Sequence, residues 1–299
     1  MLKRFDIVVW NYERIDAFFS NFHKIENFDS AKDRITIVSC SPSDVETAAV
    51  TDFTARTHIG IRYLVRENRG IDQLARAQYF SGEVGQLEEN LSYNWILQMQ
   101  DHFLDTDSTF SRYGKENGFA LKGDIIPDNV TIDLDMLEKV ITTNAVDLCF
   151  VDRSRPCWFK LLGKVYIAPN GGNFMVKSSS ILKEEVQRIT KLLSRSCDNT
   201  YDWAVFAEFM WGYIFFKEGK RVYDIERARV LTSFDRKDFY LHGGRTNPRF
   251  RQVYRKYHLA LNLPVPMISC WRLYDNAALL AKRLQQAFSS ASRPSNHRR

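Results

Sequence analysis

"NWILQMQDHFLDTDS", residues Asn94 to Ser108, changes character at a single point. Trp95 to Met99 carries large apolar side chains on both faces, so both faces need cover, as in a strand with helices packed on either side. Gln100, Asp101 and His102 follow directly. In open α/β sheets ligands sit beyond the carboxyl ends of the strands, which makes Asp101 and His102 candidates for chemistry. The nearby "DTD", residues 105–107, lies several positions past the strand end and reads as a turn.

Outward from this strand the chain alternates. "FDIVVW" reads as a first strand, "ERIDAFFSNFHKI" as a helix carrying Ile15, Phe18, Phe19 and Phe22, and "RITIVSC" as a second strand. "IRYLV" gives a third strand, and "IDQLARAQYFSG" a helix closed by Gly82 before the strand at Trp95. Beyond it, "DLCFVD", "KVYIAP" and "RVYDI" read as strands. "SSSILKEEVQRITKLLS" and "DWAVFAEFMWGYIFFKEG" read as helices. Strands alternating with helices predict an α/β fold whose central sheet is Rossmann-like and mostly parallel.

Composition bounds the function. A chain of 299 residues, 44% hydrophobic and 26% charged, belongs to an ordinary globular protein. Its five cysteines are scattered and never form a C-x-x-C pair, which argues against a disulfide framework or a zinc site and fits a reducing cytoplasm. "MLKRFDIVVWNY" is too short and too interrupted for a signal peptide or a membrane span. The net charge of +6 is unevenly placed: residues 236–299 hold 13 Lys and Arg against Asp238 and Asp275, leaving residues 1–235 net acidic. Such a basic end commonly meets a polyanion, whether nucleic acid, an anionic bilayer or a diphosphate, although a solvated helical face is the plain alternative.

Several local features lie near the predicted strand ends. In "RENRGIDQLARAQYF" Gly70 lets main chain approach a phosphate, and Arg76, further into the helix, can reach the same anion. In "NGGNFMVKSS" Gly171 and Gly172 form a turn without side chains, suited to contact with a sugar or phosphate. Asp202 opens the long apolar helix in "TYDW", and His242 precedes two glycines in "YLHGGR".

In this order the features resemble the GT-A glycosyltransferases, which use nucleotide sugars and are abundant in bacterial polysaccharide assembly. "FDIVVWNYERID" is similar to that fold's first strand and nucleotide loop, with Asn11 and Tyr12 in the loop, and "ENRGIDQLARAQ" to its N-x-G and Arg-bearing helix, with Asn68, Arg69 and Arg76. Gln100, Asp101 and His102 stand where the family places its D-x-D motif. "NGGNFMVKSS" resembles the glycine loop, "TYDW" the motif of the catalytic base, and His242 the C-terminal metal-binding histidine. The resemblance covers roughly residues 5–245. It implies a catalytic domain over 1–235, a basic helical extension over 236–288 and a disordered tail over 289–299.

The chain departs from the family's pattern in three places. Gln100 replaces the first D-x-D carboxylate and His102 the last; "SCSPSD" stands where a base-pairing Asp is common; and Tyr201 precedes Asp202 in place of Glu. The resemblance implies Asp202 as general base of an inverting transfer. Donor contacts fall to Asn11, Tyr12, Asn68, Arg69, Arg76, Gln100, Asp101, Gly171 and Gly172, and a divalent metal to Asp101, His102 and His242. An Asp-plus-imidazole set favours Mn²⁺ over Mg²⁺. Plain structural readings stand beside these roles: Asp101 as a loop carboxylate, His102 as a partly buried histidine, the diglycine as a hairpin turn, and Asp202 as a helix-start acid.

The implied partners are a nucleotide-sugar donor and a glycan or lipid-linked glycan acceptor at the inner face of the membrane, with no nucleic acid. A nucleic-acid-binding protein without enzymatic activity is one alternative, and it leaves the acidic region 1–235 without a role. A sugar nucleotidyltransferase is another, and it calls for a glycine-rich basic loop where this chain has "WNYERID". In "WRLYDNAALLAKRLQQAF", Leu273, Ala277, Leu280, Leu284 and Phe288 form one apolar stripe beside Arg272, Lys282 and Arg283, a pattern compatible with a peripheral membrane helix or with a core-packing terminal helix. The chain is expected to co-sediment with anionic liposomes and to release as salt rises, each basic residue at the surface contributing about 1 kcal/mol. Truncation after Pro266 is expected to abolish sedimentation, and equal sedimentation of the truncated protein would refute the membrane reading.

Overall fold

The computed structural model of the chain describes residues 3–40, 42–66, 73–101, 103–104, 132–150, 157–161, 164–168, 174–181, 183–196, 211, 220–224 and 229–230. In chain order these are β1 (Lys3–Asn11), α1 (Ile15–Ser20), β2 (Ile25–Glu26), β3 (Arg34–Ser39), α2 (Asp44–Thr57), β4 (Ile61–Val65), α3 (Gln73–Ser81) and α4 (Leu87–Asn90). There follow β5 (Tyr93–Gln100), β6 (Ile132–Asp133), α5 (Leu134–Thr143), β7 (Leu148–Phe150), β8 (Cys157–Leu161), β9 (Lys164–Ala168), β10 (Phe174–Lys177), α6 (Lys183–Ser196), β11 (Val222–Asp224) and β12 (Arg229–Val230).

Eight strands form one sheet in the order β12-β11-β7-β10-β5-β1-β3-β4. β5, β1, β3 and β4 run parallel, as do β7 and β11. The sheet is therefore mixed α/β and mostly parallel, as the alternation of strands and helices predicts. Two features differ from the sequence reading. β10 lies antiparallel between β5 and β7, with Phe174 opposite both Gln98 and Phe150. "FMVK", read within a glycine loop, is thus a sheet strand, its short apolar run buried at Phe174, Met175 and Val176. "KVYIAP" pairs with β8 in a separate hairpin.

The helix Asp44–Thr57 went unread because it carries no apolar stripe: its buried residues are Glu46 and Phe53. Ser43 caps it by accepting from the Glu46 amide at 3.1 Å, the S-x-x-E signal of a helix start. Conversely, the predicted helix after β1 stops at Ser20 and continues as a 3-10 turn over Phe22–Lys24.

Strand parity gives the two faces different chemistry. On one face Phe5, Ile7 and Val9 join Ile35, Ile37, Trp95, Leu97 and Met99 in an apolar core with Phe18 of α1, Phe53 of α2 and Leu137 of α5. Phe19 stacks on Phe53 with ring centres 4.4 Å apart, locking α1 against α2. Each such buried side chain contributes about 1.5–3 kcal/mol.

The opposite face is polar inside. Asp6, fully buried, accepts from Thr36 Oγ1 at 2.7 Å and from Arg34 Nη2 and Tyr79 Oη, each at 2.6 Å, so the charge is paired and hydrogen-bonded. Removing one member of such a network costs about 3–5 kcal/mol. At the start of β1, Arg4 holds both oxygens of Asp33, at 2.9 and 2.6 Å, and also reaches Asp135 of α5, tying strand, loop and helix together.

Burial pushes the Tyr79 phenol well above its ordinary value of 10.0, with the Asp6 charge acting the same way. Its folded-state pKa is raised, so the neutral phenol contributes stability that is fully present below pH 10.0 and is lost as pH rises beyond it. Urea unfolding between pH 8 and 11 is expected to show stability falling above about pH 10, with a shallower fall in Tyr79→Phe. Equal slopes in the two proteins would contradict the assignment.

Candidate functional site

The carboxyl ends of β1, β3, β4 and β5 meet at one edge of the sheet. Trp10 lies in register with Gln100, and the Asp101 amide donates to the Trp10 carbonyl at 3.1 Å, carrying the β1–β5 ladder one step past the strand. Asp101 is 4% exposed. Its Oδ2 accepts from three successive amides of the loop after β1, those of Tyr12 at 2.9 Å, Glu13 at 3.4 Å and Arg14 at 3.1 Å. Asn11 Oδ1 also accepts from Arg14 N, at 3.1 Å. The loop amides therefore point inward, while the side chains of Tyr12, Glu13 and Arg14 are exposed.

The next strand joins the same edge. Cys40 N donates to Asn11 O at 2.9 Å and Arg66 N to Ser39 O at 3.0 Å, stitching the ends of β1, β3 and β4. Arg66 Nε approaches Cys40 Sγ at 3.1 Å, and Ser39 Oγ donates to Glu46 Oε2 at 2.9 Å. Among the described residues the buried Asn11 Nδ2 has no hydrogen-bond partner here. Burial pushes the Tyr63 phenol up, while Ser39 draws it the other way. Of the four exposed large apolar side chains among the described residues, Tyr12, Val45 and Val65 stand at this edge, so its rim suits a flat or apolar ring.

Beneath the edge, on the polar face, Arg76 is fully buried. Its guanidinium lies 5.3 Å from the centre of the Trp10 ring, and Nη1 donates to Gln98 Oε1 at 3.4 Å. Trp10 Nε1 donates to the same oxygen at 3.2 Å, and Tyr79 meets Trp10 edge to face at 5.7 Å. Gln73 Oε1 accepts from Trp211 Nε1 at 2.7 Å, joining α3 to the segment expected to form the long apolar helix.

Of the residues singled out in the sequence, the structure brings together Asn11, Tyr12, Gln100 and Asp101 and places Arg76 below them, away from solvent. Asn68, Arg69, His102, Gly171, Gly172, Asp202 and His242 lie outside the described residues, as does all of 231–299. Among the described residues no group of three His, Cys, Asp or Glu is placed to hold a metal ion. Of the expected ligands only Asp101 is described, and its Oδ2 accepts from three amides. Among the described residues no helix is long and apolar enough to cross a membrane. Sequence reasoning missed Trp10, Gln98, Cys40, Glu46 and Arg66. Only Glu46 carried a signal, as the fourth residue of a capping box.

No protein-family model and no curated protein matches the sequence. Among solved structures the chain is similar to TarS of S. aureus, residues 1–349, at 11% identity and a TM-score of 0.39, covering 88% of this chain and 66% of that one. It spans 40% of the longer TarS chain. It is also similar to the mannosyltransferase PcManGT of Pyrobaculum calidifontis, at 14% identity and a TM-score of 0.35, covering 96% and 81% of the two chains. The galactosyltransferase LgtC gives 14% identity, a TM-score of 0.31 and coverage of 87% and 84%. At these scores the residues of the site have to carry the functional reading.

Arg76→Met keeps volume and removes the charge. It is expected to lower stability by about 2 kcal/mol through the desolvated cation–π contact and to shift Trp10 fluorescence. Unchanged thermal stability and fluorescence would show that the guanidinium does not support Trp10 from beneath.

Proposed function

We propose that the chain transfers a sugar from a nucleoside-diphosphate sugar to a hydroxyl of a glycan or lipid-linked glycan. The observation that carries this reading is the meeting of Asn11 and Tyr12 with Gln100 and Asp101 at one carboxyl edge of a mostly parallel sheet, where open α/β sheets hold their ligands. The rim of Tyr12, Val45 and Val65 is suited to the flat ring of the nucleobase. The order of the remaining motifs supports a sugar and acceptor side built by Gly171, Gly172 and Asp202.

Transfer from such a donor needs a base for the acceptor hydroxyl and stabilisation of the departing diphosphate. In the proposed reaction Asp202 takes the hydroxyl proton and the acceptor oxygen bonds to the anomeric carbon. The bond to the diphosphate breaks, its electrons leave with the phosphate oxygen, and configuration inverts. Asn68 and Arg69, beside Gly70, are assigned to the diphosphate. A divalent cation, Mn²⁺ or Mg²⁺, enters the proposal only through His102 and His242. The basic segment 236–299 is assigned to an anionic membrane surface at the cytoplasmic face.

The inward amides of Tyr12, Glu13 and Arg14 weigh against nucleotidyl transfer, since a loop that cradles a triphosphate turns its amides to the ligand. TarS has been solved with UDP-GlcNAc and PcManGT with GDP-Man and Mn²⁺, so UDP and GDP sugars are the first donors to screen.

A cognate donor at a hundred times its dissociation constant is expected to stabilise the fold by about 2.7 kcal/mol, read as a thermal shift with and without Mn²⁺. Asp202→Asn is expected to keep donor affinity and to slow transfer by about 10²–10⁴-fold. No shift with any nucleotide sugar would remove the donor site; a normal transfer rate in Asp202→Asn would return Asp202 to a helix-start role.

A further inference from the structure

We infer that Asp101 is a positioning residue: its carboxylate holds the loop after β1 in the form that presents Tyr12 to the donor, and it is not a metal ligand. One oxygen, Oδ2, lies 2.9, 3.4 and 3.1 Å from three consecutive amide nitrogens, Tyr12, Glu13 and Arg14. Successive amides that converge on one point form an anion-binding concavity. Here the anion is supplied by the chain itself, from a strand 89 residues away from Tyr12. The group is 4% exposed, and its own amide is fixed on the Trp10 carbonyl at 3.1 Å, so Oδ2 cannot turn to a cation without releasing the loop.

The orientation of the loop follows. With three amides turned to Asp101, and Arg14 N shared with Asn11 Oδ1, the loop offers a ligand its side chains in place of its backbone. Tyr12, 46% exposed, is the largest of these at the strand edge. Trp10, the residue immediately before the loop's Asn11, is held from below by Arg76 and Gln98, so the strand end is firm and the loop's remaining freedom is what Asp101 removes. Asp101 acts on the donor through Tyr12.

The inference rests on the sugar-transfer reading for the identity of the ligand, and on the hydrogen bonds alone for the loop. The test therefore has two readouts. Hydrogen exchange at the amides of Tyr12, Glu13 and Arg14 is measured in the wild type, Asp101→Ala and Asp101→Asn. The affinity for UDP or GDP, whichever the wild type binds, is measured in the same proteins and in Tyr12→Ala and Tyr12→Ala/Asp101→Ala. Asp101→Ala is expected to expose the amides of Tyr12 and Glu13, Arg14 keeping Asn11 Oδ1, and to weaken the nucleotide by about tenfold, the scale of one charge-assisted hydrogen bond. Asp101→Asn keeps an acceptor at the same place and is expected to restore part of both. The double variant is expected to bind no more weakly than Tyr12→Ala, because both changes act through one ring.

Protected Tyr12 and Glu13 amides in Asp101→Ala, or losses that add in the double variant, would overturn the inference. So would a tenfold shift in the Mn²⁺ requirement of Asp101→Asn with its amides still protected, the mark of a metal ligand. A wild type that binds neither nucleotide counts against sugar transfer, while the exchange measurement still decides the loop.

Discussion

The contact between the Asp101 carboxylate and the amides of Tyr12, Glu13 and Arg14 is the constraint on which the candidate site depends. It joins the ends of the two central strands, β1 and β5, where ordinary ladder bonding has run out. A carboxylate that accepts several main-chain hydrogen bonds while buried substitutes for the water those amides would otherwise bind. The loop thereby acquires one orientation, its amides inward and Tyr12 outward.

The two faces of the sheet divide the remaining work. The face toward α1, α2 and α5 is apolar and holds a core of buried side chains. The face toward α3 carries buried polar groups, with Asp6 bonded to Arg34, Thr36 and Tyr79, and Gln98 Oε1 bonded to Trp10 and Arg76. Buried polar groups are costly unless paired, and once paired they tolerate few alternative registers. This face therefore fixes the height and tilt of the β1 end beneath Tyr12, while Cys40 and Arg66 fix it from the side.

How far this was legible in the sequence depends on the kind of signal. Strands buried on both faces, such as "FDIVVW" and "NWILQM", announce themselves by large apolar residues on both faces, and both are central strands. The helix Asp44–Thr57 buries Phe53 and a glutamate and offers no periodicity to read, so only its Ser43 cap marked it. The antiparallel β10 was hidden because four residues after two glycines look like the tail of a loop. At the site, Asp101 was legible by its position after a strand, but the direction of its carboxylate was not, since the partner amides belong to a loop 89 residues earlier. Distance from Gly70 marks Arg76 as able to reach an anion, and its stacking partner on β1, Trp10, is invisible to local spacing.

The most direct measurement of the central claim is a crystal structure of the wild-type chain with UDP or GDP at saturating concentration. The nucleoside is expected at the carboxyl ends of β1 and β3 with its base against Tyr12, and the diphosphate beyond β5, while the Tyr12, Glu13 and Arg14 amides remain on Asp101. A nucleotide bound at any other part of the sheet, or phosphates seated on those three amides in place of Asp101, would contradict it.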